Sequence, residues 1–323
     1  MQSRSVGDSG LRVSRLGLGT MTWGRDTSPR AAAELLETFC SAGGSLVDTA
    51  AAYGHGEVER LLGQLLATVV DREDVVVATK AGFVARDGER VVDTSRRTLL
   101  DDLAGSLRRL RLEAVDLWQV HAWGEAPIEE TLAALDHAVT SGMARYVGVS
   151  NYIGWQTAQA VTWQRAVPGR VPVVSAQVEY SLLARRAEVE ILPAVRALGL
   201  GFFPWSPLGR GVLTGIYRRS VPRDSRGASA HLGWFVEPYL DARSRSVVES
   251  VATAADGLDL APAQVALLWV RDAPGVTAPL LGARTVAQLN ELLEVETMTL
   301  PEPIITALDD VSGGPNYGRT TNL

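Results

Sequence analysis

At 323 residues, with 46% hydrophobic and 21% charged residues, the chain has the make-up of a globular protein with room for one large core. A net charge of −6, with no dense basic run among aromatics, gives no electrostatic case for nucleic acid. The single cysteine, Cys40, excludes an internal disulfide or multi-cysteine metal site. The four histidines form no HxxxH pair, no apolar run nears the roughly 18 residues of a membrane span, and the N-terminus lacks a signal-peptide core, so a cytoplasmic, metal-free protein without a membrane partner is expected.

Residues 1–15 read as a short hairpin turning at Asp8-Ser9-Gly10. Residues 15–19 form the next strand. A helix over 28–43 opens on Ser28-Pro29, an N-cap followed by proline at the first helical position, and closes on Gly43-Gly44. Strand and helix then alternate: 45–48 and 56–68, 75–80 and 95–110, 115–121 and 127–141, 145–150 and 154–165, 173–177 and 185–198. A strand over 201–205 leads into a long Gly- and Arg-rich segment, followed by helices at 241–255 and 261–272. The last strand covers 276–281 and the last helix 285–295.

Many of these strands are apolar throughout, as parallel strands covered on both faces must be. Alternating β and α with right-handed crossovers permits an open doubly wound sheet or a closed barrel. Eight units favour the (β/α)8 TIM barrel. With no composition break or low-complexity linker, residues 1–323 read as one domain. The N-terminal hairpin, the loop 209–239 after the seventh strand and the C-terminal tail after Asp310 are its decorations.

In such a barrel the chemistry collects at the carboxyl ends of the strands. Those ends carry Gly19-Thr20, Asp48, Lys80, His121, Ser150-Asn151, Gln177, Trp205-Ser206 and Gly282, while the strand bodies are almost bare of polar groups. Lys80 stands out because it is the only lysine among 31 basic residues. Arginine cannot replace a compact ammonium that must reach a buried partner on a thin stem. Tyr53 follows Asp48 in the loop after the second strand. A phenol is a poor acid near neutrality, and a neighbouring ammonium favours its phenolate. With His121 holding a substrate oxygen, the set would polarise a carbonyl and deliver a proton to it. It contains no hydride, so reduction requires a cofactor.

Asp48, Tyr53, Lys80 and His121, in this order and context, resemble the catalytic tetrad of the aldo-keto reductase superfamily. The resemblance extends through Gly17–Gly24, Asp48–Gly54, Val115–His121, Arg145–Asn151, Gln177–Leu182, Pro204–Gly209 and Gly282–Thr285, and so covers essentially the whole chain. It implies a (β/α)8 barrel, NADPH bound in extended form, and reversible reduction of small-molecule aldehydes or ketones. By the resemblance Tyr53 is the general acid, Lys80 and Asp48 lower its pKa, and His121 orients the carbonyl. Ser150, Asn151 and Gln177 match positions that hold the nicotinamide carboxamide, and Trp205 the aromatic beneath that ring. Gly19, Thr20, Met21 and Gly282 line the cofactor cleft. Ser206, Leu208, Gly209 and Arg210 lie where the pyrophosphate is met, and Arg284 and Gln288 where the adenosine 2′-phosphate is gripped. Arg226 resembles a further contact from the long loop of the potassium-channel β-subunit branch.

Two positions depart from the family pattern. Leu292 stands where an asparagine usually reaches the adenine, and Ile216 where a lysine often lies near the pyrophosphate. Trp23, Trp123 and Trp234, in loops over the expected site, are expected to line an apolar substrate pocket. Cys40 is expected as a buried helix residue. A regulatory cofactor-binding subunit with slow residual turnover is the competing expectation.

Overall fold

The computed structural model describes residues 1–86 and 88–313. Eight parallel strands in the order β11-β10-β9-β8-β5-β4-β3-β12 form its centre. They are β3 (Gly17–Gly19), β4 (Leu46–Asp48), β5 (Val76–Ala81), β8 (Val115–Val120), β9 (Ala144–Ser150), β10 (Val173–Glu179), β11 (Gly201–Trp205) and β12 (Leu280–Leu281). The sheet closes on itself. Phe202 bridges Val276 in parallel, and the Thr277 amide donates to the Phe202 carbonyl at 2.8 Å. This is the (β/α)8 barrel expected from the alternation.

The helices around it are α1 (Pro29–Ser41), α2 (Glu57–Leu66), α3 (Arg96–Leu110), α4 (Ile128–Thr140), α5 (Gly154–Ala166), α6 (Ile191–Ala197), α8 (Ala242–Leu258), α9 (Pro262–Arg271) and α10 (Val286–Leu293). Local chemistry sets their ends. The Ser28 hydroxyl accepts from the Ala31 amide ahead of Pro29, Ser95 caps α3, Asp241 caps α8 and Thr285 caps α10. The loop 209–239 is broken into short helical turns, of which α7 (Gly233–Val236) is the α-helical one.

Period-two alternation divides the strand side chains between two cores. Val47, Val77, Trp118, Val147 and Val149 point outward to the helices. Leu46, Ala78, Leu117, Phe203, Ala278 and Leu280 point into the barrel, where Val6, Leu11 and Val13 of the hairpin β1 (Ser3–Ser5) and β2 (Arg12–Ser14) plug its lower end. The next inward residue along three of these strands is Asp48, Lys80 and Gln119, and along β11 it is Trp205. The apolar floor and the polar mouth are thus successive layers of one interior. Space in the middle layer is tight: a Cβ on Gly148 would lie 2.1 Å from the Ser175 hydroxyl.

Two elements were not expected. Phe83–Arg86 (β6) and Glu89–Val92 (β7) form an antiparallel hairpin directly after β5. Asp87-Gly88 between them, flanked by β-prone residues, is the short-range signal that could have revealed it. Glu302–Ser312 is a further helix, α11, ending at Gly313 in the left-handed region. The tail expected after Asp310 is therefore helical for two more residues; 314–323 lie outside the described residues. Cys40 is half-buried in α1 rather than fully buried, and partial burial pushes its thiol up to about 11.

No described helix is long and apolar enough to cross a membrane. No group of three or more His, Cys, Asp or Glu among the described residues could hold a metal ion.

Candidate active site

At the carboxyl end of the barrel the inward layer opens into a cavity of about 580 Å³. Asp48 ends β4 on its floor, next to Lys80 from the neighbouring β5. The two are almost wholly enclosed, and Lys80 Nζ donates to Asp48 Oδ2 at 2.6 Å and to the Thr49 carbonyl at 2.8 Å. The other Asp48 oxygen accepts from Gln177 Nε2 at 2.8 Å. Removing this carboxylate and ammonium from water costs several kcal/mol per ion, which only such close pairing offsets.

Tyr53 enters from the turn after β4, its amide bonded to the Ala50 carbonyl. The Lys80 Nζ lies 5.2 Å from the centre of its ring, close enough for the ammonium charge to act on the phenol. His121 follows β8, and its ring meets Tyr53 edge-on at 6.0 Å and Phe83 edge-on at 4.7 Å. The four residues expected to carry the chemistry converge within one enclosed space.

Burial is the largest influence on the Tyr53 phenol and raises its pKa. Lys80 pulls it down and Asp48 adds to the rise, so the net position is above the ordinary value. The expected lowering by the lysine–aspartate pair is therefore overridden by desolvation, and Tyr53 is a protonated phenol at neutral pH. Burial acts to lower the Lys80 pKa, but Asp48 and Tyr53 outweigh it and hold the ammonium charged. Burial, then Lys80, then Arg90 drive His121 well below its ordinary range, which leaves a neutral imidazole.

Around this floor the cavity is lined by Gly19, Thr20, Met21, Ser150, Asn151, Gln177, Trp205, Ser206, Leu208, Arg210, Arg226, Gly282, Arg284 and Gln288. Gly209 is buried against Leu183 and Leu213 and does not line the cavity. Asn151 ties three strand ends together: its Nδ2 donates to the His121 carbonyl at 2.9 Å and its Oδ1 accepts from Trp205 Nε1 at 3.0 Å. The Ser150 hydroxyl donates to the Gln177 carbonyl at 3.0 Å. Arg210 is committed to Glu179 by two 2.7 Å bonds, so its charge is largely neutralised. Leu292 and Ile216, the two departures from the family pattern, both line the cavity.

Six described residues other than glycine have φ in the left-handed region. Arg111 and Asp259 merely end α3 and α8. The other four, His55, Asn151, Ser206 and Arg210, all lie in loops at strand carboxyl ends, where such strain concentrates at functional sites.

The donor set suits a dinucleotide. The Asn151 amide meets the N–H edge of Trp205, with the Ser150 hydroxyl next to that amide. Further along, Arg284 lies close enough for its charge to reach Arg226, and neither has a carboxylate within ion-pair distance among the described residues. Arg284 instead donates from its guanidinium to the Asp224 carbonyl at 3.2 Å, and its backbone amide donates to Gln288 Oε1 at 3.0 Å. A pair of unneutralised guanidinium groups is an anion site. The long loop is strapped over this end by His231 Nε2, 3.0 Å from Asp26 Oδ1.

The three tryptophans expected over the substrate take other places. Trp23 is 2% exposed and sits in the outer core, carried there by the turn that joins Thr22 to Thr27. Trp123 packs edge-on against Tyr152 and Trp155, both at 5.1 Å, and lines a separate surface recess. Trp234 is 68% exposed, with its Nε1 on the His231 carbonyl; its neighbour Phe235 faces the cavity instead. Phe83 and Arg90, which line the same cavity as Tyr53 and His121, belong to the unforeseen hairpin.

The family model for the aldo/keto reductase family matches residues 15–312. An uncharacterized oxidoreductase, YrpG, of Bacillus subtilis (strain 168) is 35% identical over 98% of this chain and 97% of its own length. A probable voltage-gated potassium channel subunit beta of Oryza sativa subsp. japonica is 34% identical over 94% of each chain. With the barrel and the converging Asp48, Tyr53, Lys80 and His121 in view, the chain belongs to the aldo/keto reductase family.

Proposed function

We propose that this protein is an NADPH-dependent oxidoreductase that reduces aldehyde or ketone groups of small molecules to alcohols. The observation that carries the reading is the enclosed Asp48–Lys80–Tyr53 chain of contacts beside a neutral His121. Family membership and the oxidoreductase relative support it.

A reduced nicotinamide, when bound, supplies the hydride. Ser150 and Asn151 would hold its carboxamide, Trp205 its ring face, and Arg226, Arg284 and Gln288 the phosphate of the adenosine. The neutral His121 donates one hydrogen bond to the substrate carbonyl oxygen and so orients it. The Tyr53 hydroxyl donates a second. As negative charge grows on that oxygen, the Tyr53 proton passes to it, and the O–H bond of the alcohol forms as the phenol O–H bond breaks. Lys80 stabilises the resulting phenolate at short range, and Asp48 keeps the ammonium aimed there. Proton uptake from solvent then restores the phenol. General acid catalysis and a positioned cation of this kind each contribute on the order of 10²–10⁴ in rate.

The test is NADPH oxidation by the purified protein over a broad panel of aldehydes and ketones. Turnover that is lost in Tyr53→Phe supports the reading; absence of NADPH oxidation with every compound refutes it. The channel-subunit relative favours a second reading, a cofactor-binding regulatory subunit in which turnover is slow. Tight NADPH binding with catalysis no faster than about 10⁻³ of a typical median enzyme rate of about 10 s⁻¹ would favour that one.

A further inference from the structure

The β6–β7 hairpin takes no part in the proton transfer above, yet it brings a cation to the substrate side of the cavity. We propose that Arg90 makes this pocket selective for carbonyl compounds that also carry a carboxylate. The proposal rests on reading the cavity as a carbonyl-reducing site and names the class of substrate.

In the hairpin Phe83 pairs with Val92 and Ala85 with Arg90. The Arg90 guanidinium lies 3.7 Å from the centre of the Phe83 ring. Phe83 in turn meets His121 edge-on at 4.7 Å, and His121 meets Tyr53 at 6.0 Å. An unbroken line of contacts thus runs from the arginine to the group that donates the proton. Arg90 is close enough that its charge acts on both Tyr53 and His121, each time downward on the pKa and behind burial and Lys80 in size.

The other arginines lining the cavity are engaged differently. Arg210 is neutralised by Glu179, and Arg226 and Arg284 form their own cluster on the long loop and at the start of α10. Arg86, one pair nearer the turn, is held by Asp93. No carboxylate among the described residues lies within ion-pair distance of Arg90. Partial burial lowers its pKa, and Tyr53 is the group that pulls it back up.

A guanidinium this close over an aromatic ring is held there by cation–π attraction. Its edge N–H groups remain directed outward, in the fork geometry that matches a planar carboxylate with two parallel bonds. A neutral substrate leaves that solvent-exposed charge without an anionic partner. An anionic one completes the pair and is held with its carbonyl toward Tyr53 and His121.

The experiment uses a matched pair of aldehydes, 4-carboxybenzaldehyde and methyl 4-formylbenzoate, with NADPH. The acid is expected to exceed the ester in kcat/KM, and Arg90→Gln to reduce the acid-to-ester ratio by about tenfold or more, as loss of a charge-assisted pair implies. Arg90→Lys should restore part of the ratio, since it keeps the charge and loses the fork. A ratio unchanged in Arg90→Gln overturns the proposal and leaves the carbonyl-reductase reading intact. A second measurement is independent of turnover: benzoate and benzamide binding by calorimetry to the protein with NADPH present. Benzoate binding about tenfold tighter than benzamide, with the difference lost in Arg90→Gln, supports the anion site even if neither aldehyde is reduced, in which case the proposed reaction is what fails. Equal binding of the two by the unaltered protein overturns the proposal.

Discussion

Replacing Lys80 with methionine removes one charge while nearly keeping the side-chain length, and its consequences can be worked through in two parts. The first is stability. Lys80 is 1% exposed, and its ammonium is the sole cation 2.6 Å from a carboxylate that is itself enclosed. Breaking a buried pair from one side strands the other charge and costs about 3–5 kcal/mol. Typical domains are stable by only about 5–15 kcal/mol, so the urea midpoint should fall markedly while the protein still folds. The second part is rate. A unit charge 5.2 Å from the Tyr53 ring centre, at an effective dielectric of about 20, contributes about 3 kcal/mol to stabilising a developing phenolate. At about 1.4 kcal/mol per factor of ten, kcat for aldehyde reduction should drop on the order of 10². The assay is steady-state NADPH oxidation at saturating cofactor, paired with urea unfolding and with the Kd of NADPH from fluorescence quenching. A variant retaining kcat within about threefold of the parent, with its fold intact, would refute the electrostatic role of the lysine. Lys80→Arg keeps the charge but forces a wider head into a space already filled by Asp48 and Thr49, where overpacking costs about 1–3 kcal/mol. It too should lose most of the activity.

Tyr53→Phe should lower kcat by about 10²–10⁴ with little change in the Kd of NADPH, because the ring is kept and only the proton donor is lost. A large loss of binding would show the hydroxyl to be structural. Arg284→Ala should raise the Kd of NADPH by about tenfold and that of NADH much less; equal changes reject the 2′-phosphate assignment. His121 sets an acid-side stability slope. Its pKa is depressed in the folded state, so below about pH 6.5 the unfolded chain takes up a proton that the folded chain refuses, and stability is lost as the pH is lowered, by up to about 1.4 kcal/mol per unit. Urea unfolding between pH 7.5 and 5 should show a shallower slope in His121→Gln than in the parent. Identical slopes would mean that the folded imidazole titrates normally.

Much of the fold was legible because strand and helix here obey their own local rules. Ser28-Pro29, Ser95, Asp241 and Thr285 mark helix starts by capping chemistry that needs no tertiary partner. The apolar strands betray a two-sided covering, and counting eight of them led to a barrel. The candidate site followed, since barrel geometry makes the last residue of each strand a neighbour of all the others. Side-chain direction in loops was less legible. Trp234 and Phe235 are adjacent in the chain, yet one faces solvent and the other the cavity. Trp23 lies only two residues beyond Met21 but turns into the outer core, because the Thr22–Thr27 turn reverses the chain there. The hairpin after β5 was hidden in a run read only as a connection, although Asp87-Gly88 carried its turn signal.

What the sequence determined alone is the kind of chemistry. A single lysine, an aspartate and a histidine at strand ends, with a tyrosine in the loop after the aspartate, supply the functional groups that the proposed reaction needs, since residue type and strand periodicity fix the groups and the face they occupy. The tertiary structure decided how those groups are tuned and what they are presented with. Burial, a property of the whole closed barrel, sets the Tyr53 phenol above its ordinary pKa against the pull of Lys80. The pairing of β6 with β7 places Phe83 and Arg90, and not the three loop tryptophans, beside the reacting groups. Both outcomes depend on contacts between segments far apart in the chain, whose distances no local pattern encodes.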